Sequence, residues 1–360
     1  MPRPFIALLG RRDEPTDAVE EYCRYLGEAL QAHDFQLQIR RVPWEIHGWP
    51  ASRDALRLQA AGWLGTWVLV QYTALAWSAR GFPQRVLRVL HILKKAGARV
   101  GVVFHDVEPF HGSRFVDRLR RSAQLRTMRR ILYHAHLAVF PVPLEKITWL
   151  PNPPANAHFI PVGANLPISV SSVDDRSTND IPAVGVFSIT GGEAGAHETK
   201  LIVAAVRHAA QKLGKLRLSV FGRNSELYEA ALRCGLQDSP VELSVEGVVA
   251  PEQVVQRLGA CDVLLFVRGE ISSRRGSAIA GIACGLPVIA FPGSETGQPI
   301  TDAGVILVPH DDPEKLNGAL VHILADPAYR ADLAARSRAV YQSNLSWPSI
   351  AARFAALLCP

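Results

Sequence analysis

The segment Arg268 to Ser277 (RGEISSRRGS) concentrates three arginines, three serines and two glycines in ten residues. It follows an apolar run and opens a helical pattern. A helix N-terminus offers amide N–H groups without intrahelical partners and a partial positive charge. That combination suits a phosphate or diphosphate group. Ser272, Ser273 and Ser277 add hydroxyls, and Gly276 lets the backbone come close. Arg268, Arg274 and Arg275 can pair with phosphate oxygens in bidentate fashion. The same residues would also make a capped surface turn with solvated arginines. Glu270 is the only carboxylate in the segment.

Three other turns follow apolar runs. Phe221-Gly-Arg-Asn-Ser places Gly222 at a tight turn, with Arg223, Asn224 and Ser225 facing phosphate or base, or serving as an ordinary helix cap. Gly191-Gly192-Glu-Ala-Gly195 lacks GxGxxG spacing and an acidic ribose partner, which argues against a dinucleotide site. Gly192 is therefore expected in a loop lining a ligand cleft. Gly10-Arg11-Arg12-Asp13 puts two arginines after the first apolar run, as an anion contact or a solvated loop. His105-Asp106 and Tyr72 end two further runs. His105 is either a hydrogen-bonding group in a site or a satisfied structural histidine. Tyr72 is more often core or rim than ligand. No P-loop, nucleophile elbow, HExxH or metal-spaced His/Cys cluster is present, so no metal is expected.

These residues need elements to hold them. Pro4 to Leu9, Phe35 to Val42, Trp67 to Tyr72 and Arg99 to His105 read as strands. Helical patterns span Asp17 to His33, with Thr16 as N-cap, and Phe82 to Lys95. After the polar, proline-bounded stretch 167–182 the alternation restarts with a strand at Ala183 to Ile189. It continues through helix Gly276 to Cys284 to helix Trp347 to Leu358. Strand and helix in alternation predict an α/β chain of two Rossmann-like, doubly wound domains with parallel sheets, facing a central cleft. The expected boundaries are 1–166, linker 167–182, 183–344, and a C-terminal helix 345–360 that can return to the first domain.

Composition agrees with a globular chain. Of 360 residues, 48% are hydrophobic and 20% charged, which excludes wholesale disorder. Apolar runs are too short for a membrane span, and Arg11, Arg12 and Asp13 interrupt any signal-peptide form. Five widely spaced cysteines without CxxC read as reduced thiols of a cytoplasmic protein. The net charge of +6 is uneven. Residues 1–165 hold 22 Lys and Arg against 13 Asp and Glu, a net +9. The front half should therefore meet something anionic. Seven arginines lie between Arg114 and Arg130, with Phe115, Leu119, Leu125, Met128 and Leu132 as an apolar side. A basic amphipathic helix here suggests peripheral contact with an anionic membrane, or else a solvated helix face. No aromatic-interleaved reader motif supports nucleic acid as a partner.

The run Ala283 to Ala290 (ACGLPVIA), the preceding CDVLLF, the later DAGVILVPHDDPEKLNGAL and the terminal LSWPSIAARF resemble family 4 glycosyltransferases (glycosyl transferases group 1) of the GT-B fold. The likeness covers about Ala183 to Leu358. It implies transfer of a hexose-type unit from a nucleoside-diphosphate sugar to a saccharide or lipid-linked acceptor. Retention of configuration, no metal and no cofactor beyond that co-substrate are also implied. The donor would sit on the C-terminal domain and the acceptor on the N-terminal domain. Gly192, Arg223, Asn224, Ser225, Arg268 and the residues Ser272 to Ser277 would then bind donor. His105 and Glu270 would contact sugar or acceptor at the catalytic centre. Gly10, Arg11, Arg12, Tyr72 and Asp106 would form the acceptor side.

Ser272 and Ala280 stand where the family usually carries two glutamates eight positions apart. The family's Arg and Lys near the first turn of that domain are also not evident, so Arg268, Arg274 or Arg275 would replace them. The loss leaves room for a catalytically inactive binding or partner protein, or a nucleotide-sugar epimerase. The expected location is the cytoplasm, at the inner face of the membrane where the basic helix makes contact.

Overall fold

The computed structural model describes residues 3–14, 17–168 and 181–359. Thr16 and most of the expected linker, 169–180, lie outside the described residues. The chain divides into two compact units, Met1–Val162 with Trp347–Pro360, and Gly163–Ser346.

The first unit runs β1 (Arg3–Leu9), α1 (Ala18–Leu30), β2 (Phe35–Arg41), α2 (Trp44–His47), α3 (Trp49–Ala60), β3 (Trp67–Tyr72), α4 (Arg85–Lys95), β4 (Arg99–Phe104), α5 (Phe115–His134), β5 (Leu137–Phe140) and β6 (Ala157–Phe159). Its sheet has the order β2-β1-β3-β4-β5-β6 with every pairing parallel. In β3 every residue is buried. Helices cover both sheet faces, so this central strand reads as an apolar run interrupted only by Gln71. Edge strand β2 buries Phe35 and leaves Gln36, Gln38 and Arg40 exposed. In α1, Tyr22, Cys23, Leu26 and Leu30 are buried at helical spacing. Asp17 caps this helix: its Oδ1 accepts from the Val19 and Glu20 amides at 3.1 Å each. Aspartate is a good cap residue, and its carboxylate directly before the first turn also favours the helix dipole.

The second unit runs β7 (Ala183–Phe187), α6 (Gly192–Leu213), β8 (Leu216–Phe221), α7 (Glu229–Leu236), β9 (Val241–Val245), α8 (Pro251–Gly259), β10 (Val263–Glu270), α9 (Gly276–Ala283), β11 (Val288–Phe291), β12 (Val305–Leu307), α10 (Pro313–Ala325) and α11 (Pro327–Val340). The sheet order is β12-β11-β10-β7-β8-β9, again all parallel. The closing helix α12 (Trp347–Leu358) belongs to the first unit. There Trp347 stacks on Tyr25 and meets Tyr22 edge-on, and Trp67 Nε1 donates to the Leu358 carbonyl at 3.1 Å.

The first unit has two cores, one on each sheet face. One joins α1 and α12 through Tyr22, Leu26, Leu30, Ile350 and Phe354. The other joins α3, α4 and α5 through Leu56, Val86, Val89, Leu93, Met128 and Ile131. This corrects the expected apolar side of the basic helix. Met128 and Leu132 are buried, whereas Phe115 and Leu119 are 71% and 50% exposed. At 100° per residue, positions 115 and 119 share a face that 125, 128 and 132 do not. The helix therefore carries two separate apolar patches, one in the core and one outside it.

Candidate functional site

In the second unit the candidate donor residues gather where parallel strands end, the edge at which open α/β sheets bind ligands. After β7 the chain passes Ser188 at a positive φ of 71° and enters α6 through Gly191 and Gly192. After β8 it turns at Gly222, whose φ is 99°. A Cβ there would lie 2.6 Å from Ser188 Oγ, so glycine is needed for both conformation and space. The two turns are tied together. Ser188 Oγ accepts from the Arg223 amide at 3.1 Å, Asn224 Nδ2 donates to the Ile189 carbonyl at 3.0 Å, and Tyr228 Oη donates to the Gly192 carbonyl at 2.9 Å. Gly192 and Arg223 thus belong to one laced loop pair. Asn224 faces its own scaffold, and Ser225 is fully buried.

Arg268, near the end of β10, is half-buried. Burial lowers its pKa, the Glu198 carboxylate opposes that, and the Arg223 charge adds a smaller lowering. Glu198 is itself buried and accepts from the Thr190 amide at 2.8 Å. Arg275 caps α9. Its pKa is also lowered, first by burial and then by Arg274 and Arg268, against Glu295 and Glu270. Arg223, Arg268 and Arg275, each half-buried, therefore lie in a patch where Arg268 feels both the attraction of Glu198 and the repulsion of its arginine neighbours. A dianionic diphosphate would relieve that repulsion.

Arg274 is placed differently. Its Nε and Nη2 donate to Glu295 at 2.6 and 2.8 Å, a bidentate pair with Glu295 buried. Ser272 Oγ donates to the same carboxylate at 3.2 Å. Ser272 and Ser273 are both 1% exposed. Thr296 Oγ donates to the Ile271 carbonyl at 2.6 Å and receives the Gly293 amide at 2.8 Å. Loop 293–296 thereby clamps the segment that leads into α9. Glu270 joins this clamp: its Oε2 accepts from the Ser294 amide at 3.1 Å. Gly276 begins α9 exposed, with open space where a Cβ would point, and Ser277 beside it is half-buried. Ala280 is in the interior of α9, 1% exposed.

In the first unit a cavity of about 250 Å³ opens at the ends of β1 and β3. Gly10, Arg11, Arg12, Gln71, Thr73 and Asp106 are among its lining residues. Gly10 packs against the Ala76 carbonyl, which a Cβ would meet at 2.3 Å. Arg11 pairs with Glu45 at 2.9 Å, and Arg12 lies 3.8 and 4.0 Å from Glu14 and Glu20. Asp106 Oδ2 accepts from the Ala74 amide at 2.6 Å. His105 stands behind this lining, with Nε2 2.8 Å from Gln71 Oε1 and its ring edge-on to Tyr22. Gln71 Nε2 donates to the Leu69 carbonyl at 3.2 Å, so Oε1 is the acceptor and His105 Nε2 carries the proton. Tyr72 does not line the cavity. It is 1% exposed against Phe104, and burial pushes its phenol pKa up, with the Asp106 charge adding to the effect.

The sequence singled out neither Glu198 nor Glu295, nor Arg41, which bridges Asp17 and Glu20 at 2.9 and 2.7 Å and donates to the Gly10 carbonyl at 3.0 Å. Their oppositely charged partners lie 21 or more residues away, beyond any local motif. Among the described residues no group of three His, Cys, Asp or Glu could hold a metal ion.

Residues 188–326 match the family model described as "Glycosyl transferases group 1". A GDP-mannose-dependent monoacylated alpha-(1-6)-phosphatidylinositol monomannoside mannosyltransferase of Corynebacterium glutamicum is 28% identical over 137 residues. The match spans 36% of each chain, about a third of the relative's own length. Among solved structures, Anabaena Alr3699/HepE in complex with UDP and glucose aligns over 99% of both chains at 15% identity, with a TM-score of 0.66. Sucrose-phosphate synthase from Thermosynechococcus elongatus aligns over 99% of this chain and 98% of its own, at 20% identity and a TM-score of 0.70. WaaG, a glycosyltransferase involved in lipopolysaccharide biosynthesis, covers 99% and 100% at 14% identity and 0.63.

The two parallel six-stranded sheets, with helices on their faces, make this an α/β chain of the GT-B glycosyltransferase fold. Residues 188–326, the stretch similar to the glycosyl transferases group 1 model, hold the arginine patch.

Proposed function

We propose that this protein transfers a hexose-type sugar from a nucleoside-diphosphate sugar to a saccharide or lipid-linked acceptor, with retention and without a metal. The observation that carries the reading is the Arg223–Arg268–Arg275 patch at the strand ends of the family-matched unit. Partly desolvated guanidinium groups would stabilise the charge that grows on the departing nucleoside diphosphate. The leaving diphosphate would itself accept the proton of the attacking hydroxyl. The first-unit cavity, with His105 donating through Nε2 to Gln71 behind it, would hold the acceptor. Arg274, Ser272 and Glu270 support the loop rather than touch the donor. Retention and the absence of a metal follow from the family resemblance, and a cytoplasmic site of action at the inner membrane face from the reduced cysteines and the basic helix.

A thermal-shift screen with nucleoside diphosphates and nucleotide sugars tests the reading, because a ligand bound only by the folded state raises the melting temperature. A shift that disappears in Arg268→Ala supports it. No shift with any nucleotide sugar overturns it. A second reading rests on Ser272 and Ala280, which supply no carboxylate where the family carries two: the chain binds nucleotide sugars without turning them over. A nucleotide-sugar shift with neither transfer nor slow donor hydrolysis would select that reading.

A further inference from the structure

We propose that the face formed by α4 and α5 docks on an anionic lipid bilayer, with the first turn of α5 inserted among the headgroups. This inference does not depend on glycosyl transfer. The charge imbalance of the chain is local. Residues 85–144 hold 12 Lys and Arg against three acids, a net +9, which equals the whole excess of residues 1–165. Two of the three acids are spent internally: Asp117 is buried against Arg120 at 2.8 Å, and Glu108 accepts from Thr148. The third, Asp106, lies at the β4 end and accepts from Ala74.

The consecutive parallel steps β3–α4–β4–α5–β5 place α4 and α5 side by side on one sheet face, where they share a core. Their outer surfaces are basic. Arg88, Lys94 and Lys95 on α4 are exposed, as are Arg118, Arg121, Arg126, Arg129 and Arg130 on α5. Among the described residues no carboxylate lies within ion-pair distance of those five α5 arginines. His91, Lys94, Arg130 and His134 line a groove of about 410 Å³ between the two helices, and no acid lines it.

The apolar side chains decide what kind of anion this face meets. Phe115, Val116 and Leu119 are 71%, 48% and 50% exposed at the start of α5, and Phe110 is 45% exposed just before it. Four large hydrophobics in ten residues, ringed by arginines, match a bilayer interface, where hydrocarbon and phosphate lie a few ångströms apart. Arginine stems can lie along the apolar zone while their guanidinium groups reach phosphate. The helix N-terminus adds its partial positive charge at the same point. A nucleic acid would satisfy the arginines and leave Val116 and Leu119 in water.

Vesicle co-sedimentation of the full chain, without any sugar donor, tests the proposal. The chain should bind phosphatidylcholine vesicles containing phosphatidylglycerol, fail to bind pure phosphatidylcholine, and release as salt is raised. At about 1 kcal/mol per arginine near an anionic surface, Arg118→Gln/Arg121→Gln/Arg129→Gln should weaken partitioning about 100-fold. Phe115→Ser/Leu119→Ser should weaken it at least about tenfold while leaving retention on heparin unchanged. All five side chains are exposed, so unchanged melting temperatures confirm that both variants fold. No binding to phosphatidylglycerol vesicles overturns the proposal. So does vesicle binding that is indifferent to Phe115 and Leu119, and so does preference for nucleic acid over vesicles. None of these outcomes bears on the nucleotide-sugar shift, which both variants should retain.

Discussion

Two sets of arginines divide the work of this chain. In the second unit Arg268 and Arg275 are half-buried and lie within each other's field. In the first unit Arg118, Arg121, Arg126 and Arg129 stand in solvent along α5. A buried cation with like-charged neighbours stores unfavourable electrostatics that a bound anion releases, so it favours one tightly placed ligand. An exposed cation gains little from any single partner and matters in number, through a screened surface field. Arg41 and Arg274 define a third condition. They are partly buried yet matched by carboxylates, and they hold loops in place. Burial and pairing together, rather than residue type, predict what each arginine does.

The largest effect should come from Arg268→Ala. It removes a desolvated charge from the patch, and turnover of a nucleotide-sugar donor should fall by about 100- to 1,000-fold. The donor-induced melting shift should vanish while the ligand-free melting temperature stays nearly constant, since the desolvation cost and Arg223 repulsion that are removed offset the lost attraction to Glu198. A lower ligand-free melting temperature would place Arg268 with the structural arginines and break the comparison.

Glu295→Gln should act in the opposite sense. It strands the Arg274 guanidinium in a partly buried position and should cost about 2 kcal/mol in stability, read by denaturant melts. A double-mutant cycle with Arg274→Met should recover much of that loss, because removing both partners leaves no unpaired charge. Donor binding should weaken through a displaced α9 loop, appearing in KM more than in kcat. Full donor affinity with reduced stability would uncouple the clamp from the site.

Asp17→Ala should cost about 1 to 2 kcal/mol, combining a lost N-cap with a lost partner for Arg41. Because Arg41 also donates to the Gly10 carbonyl, the loop lining the first-unit cavity should loosen and exchange amide protons faster. A change confined to α1 would show that Arg41 does not couple the cap to the cavity.

The residues involved explain how much of this was legible in the sequence. The strands of both sheets were legible because buried central strands such as β3 are apolar at all but one position, Gln71. The turns after β8 and β10 were legible because arginine, serine and glycine cluster there within a few residues. Helix α3 was not, since its buried stripe is only Ser52, Leu56 and Ala60, one residue per turn with a serine among them. The functions of Arg274 and Glu270 were not legible either. Both are used by loop 293–296, which is brought beside them by parallel strands β10 and β11. Sequence showed where positive charge concentrates; only packing showed which charges are neutralised. The same limit applied to α5, where the count of hydrophobics was right but their division between core and surface depended on helical phase.

The smallest effect is the sharpest check on the surface half of the comparison. Arg121→Gln with Arg126→Gln removes two exposed charges that have no acidic partner within ion-pair distance among the described residues. Surface changes away from caps and buried pairs usually stay within about 0.5 kcal/mol. Stability should therefore hardly move, and relief of like-charge repulsion along α5 should make any change slightly favourable. The donor-induced melting shift should be unaffected. The salt dependence of binding to phosphatidylglycerol vesicles should become shallower, because fewer cations meet the charged surface. A stability loss comparable to that of Glu295→Gln would mean that the α5 arginines hold the fold, and the distinction between charges that bind, charges that brace and charges that face outward would fail at its weakest member.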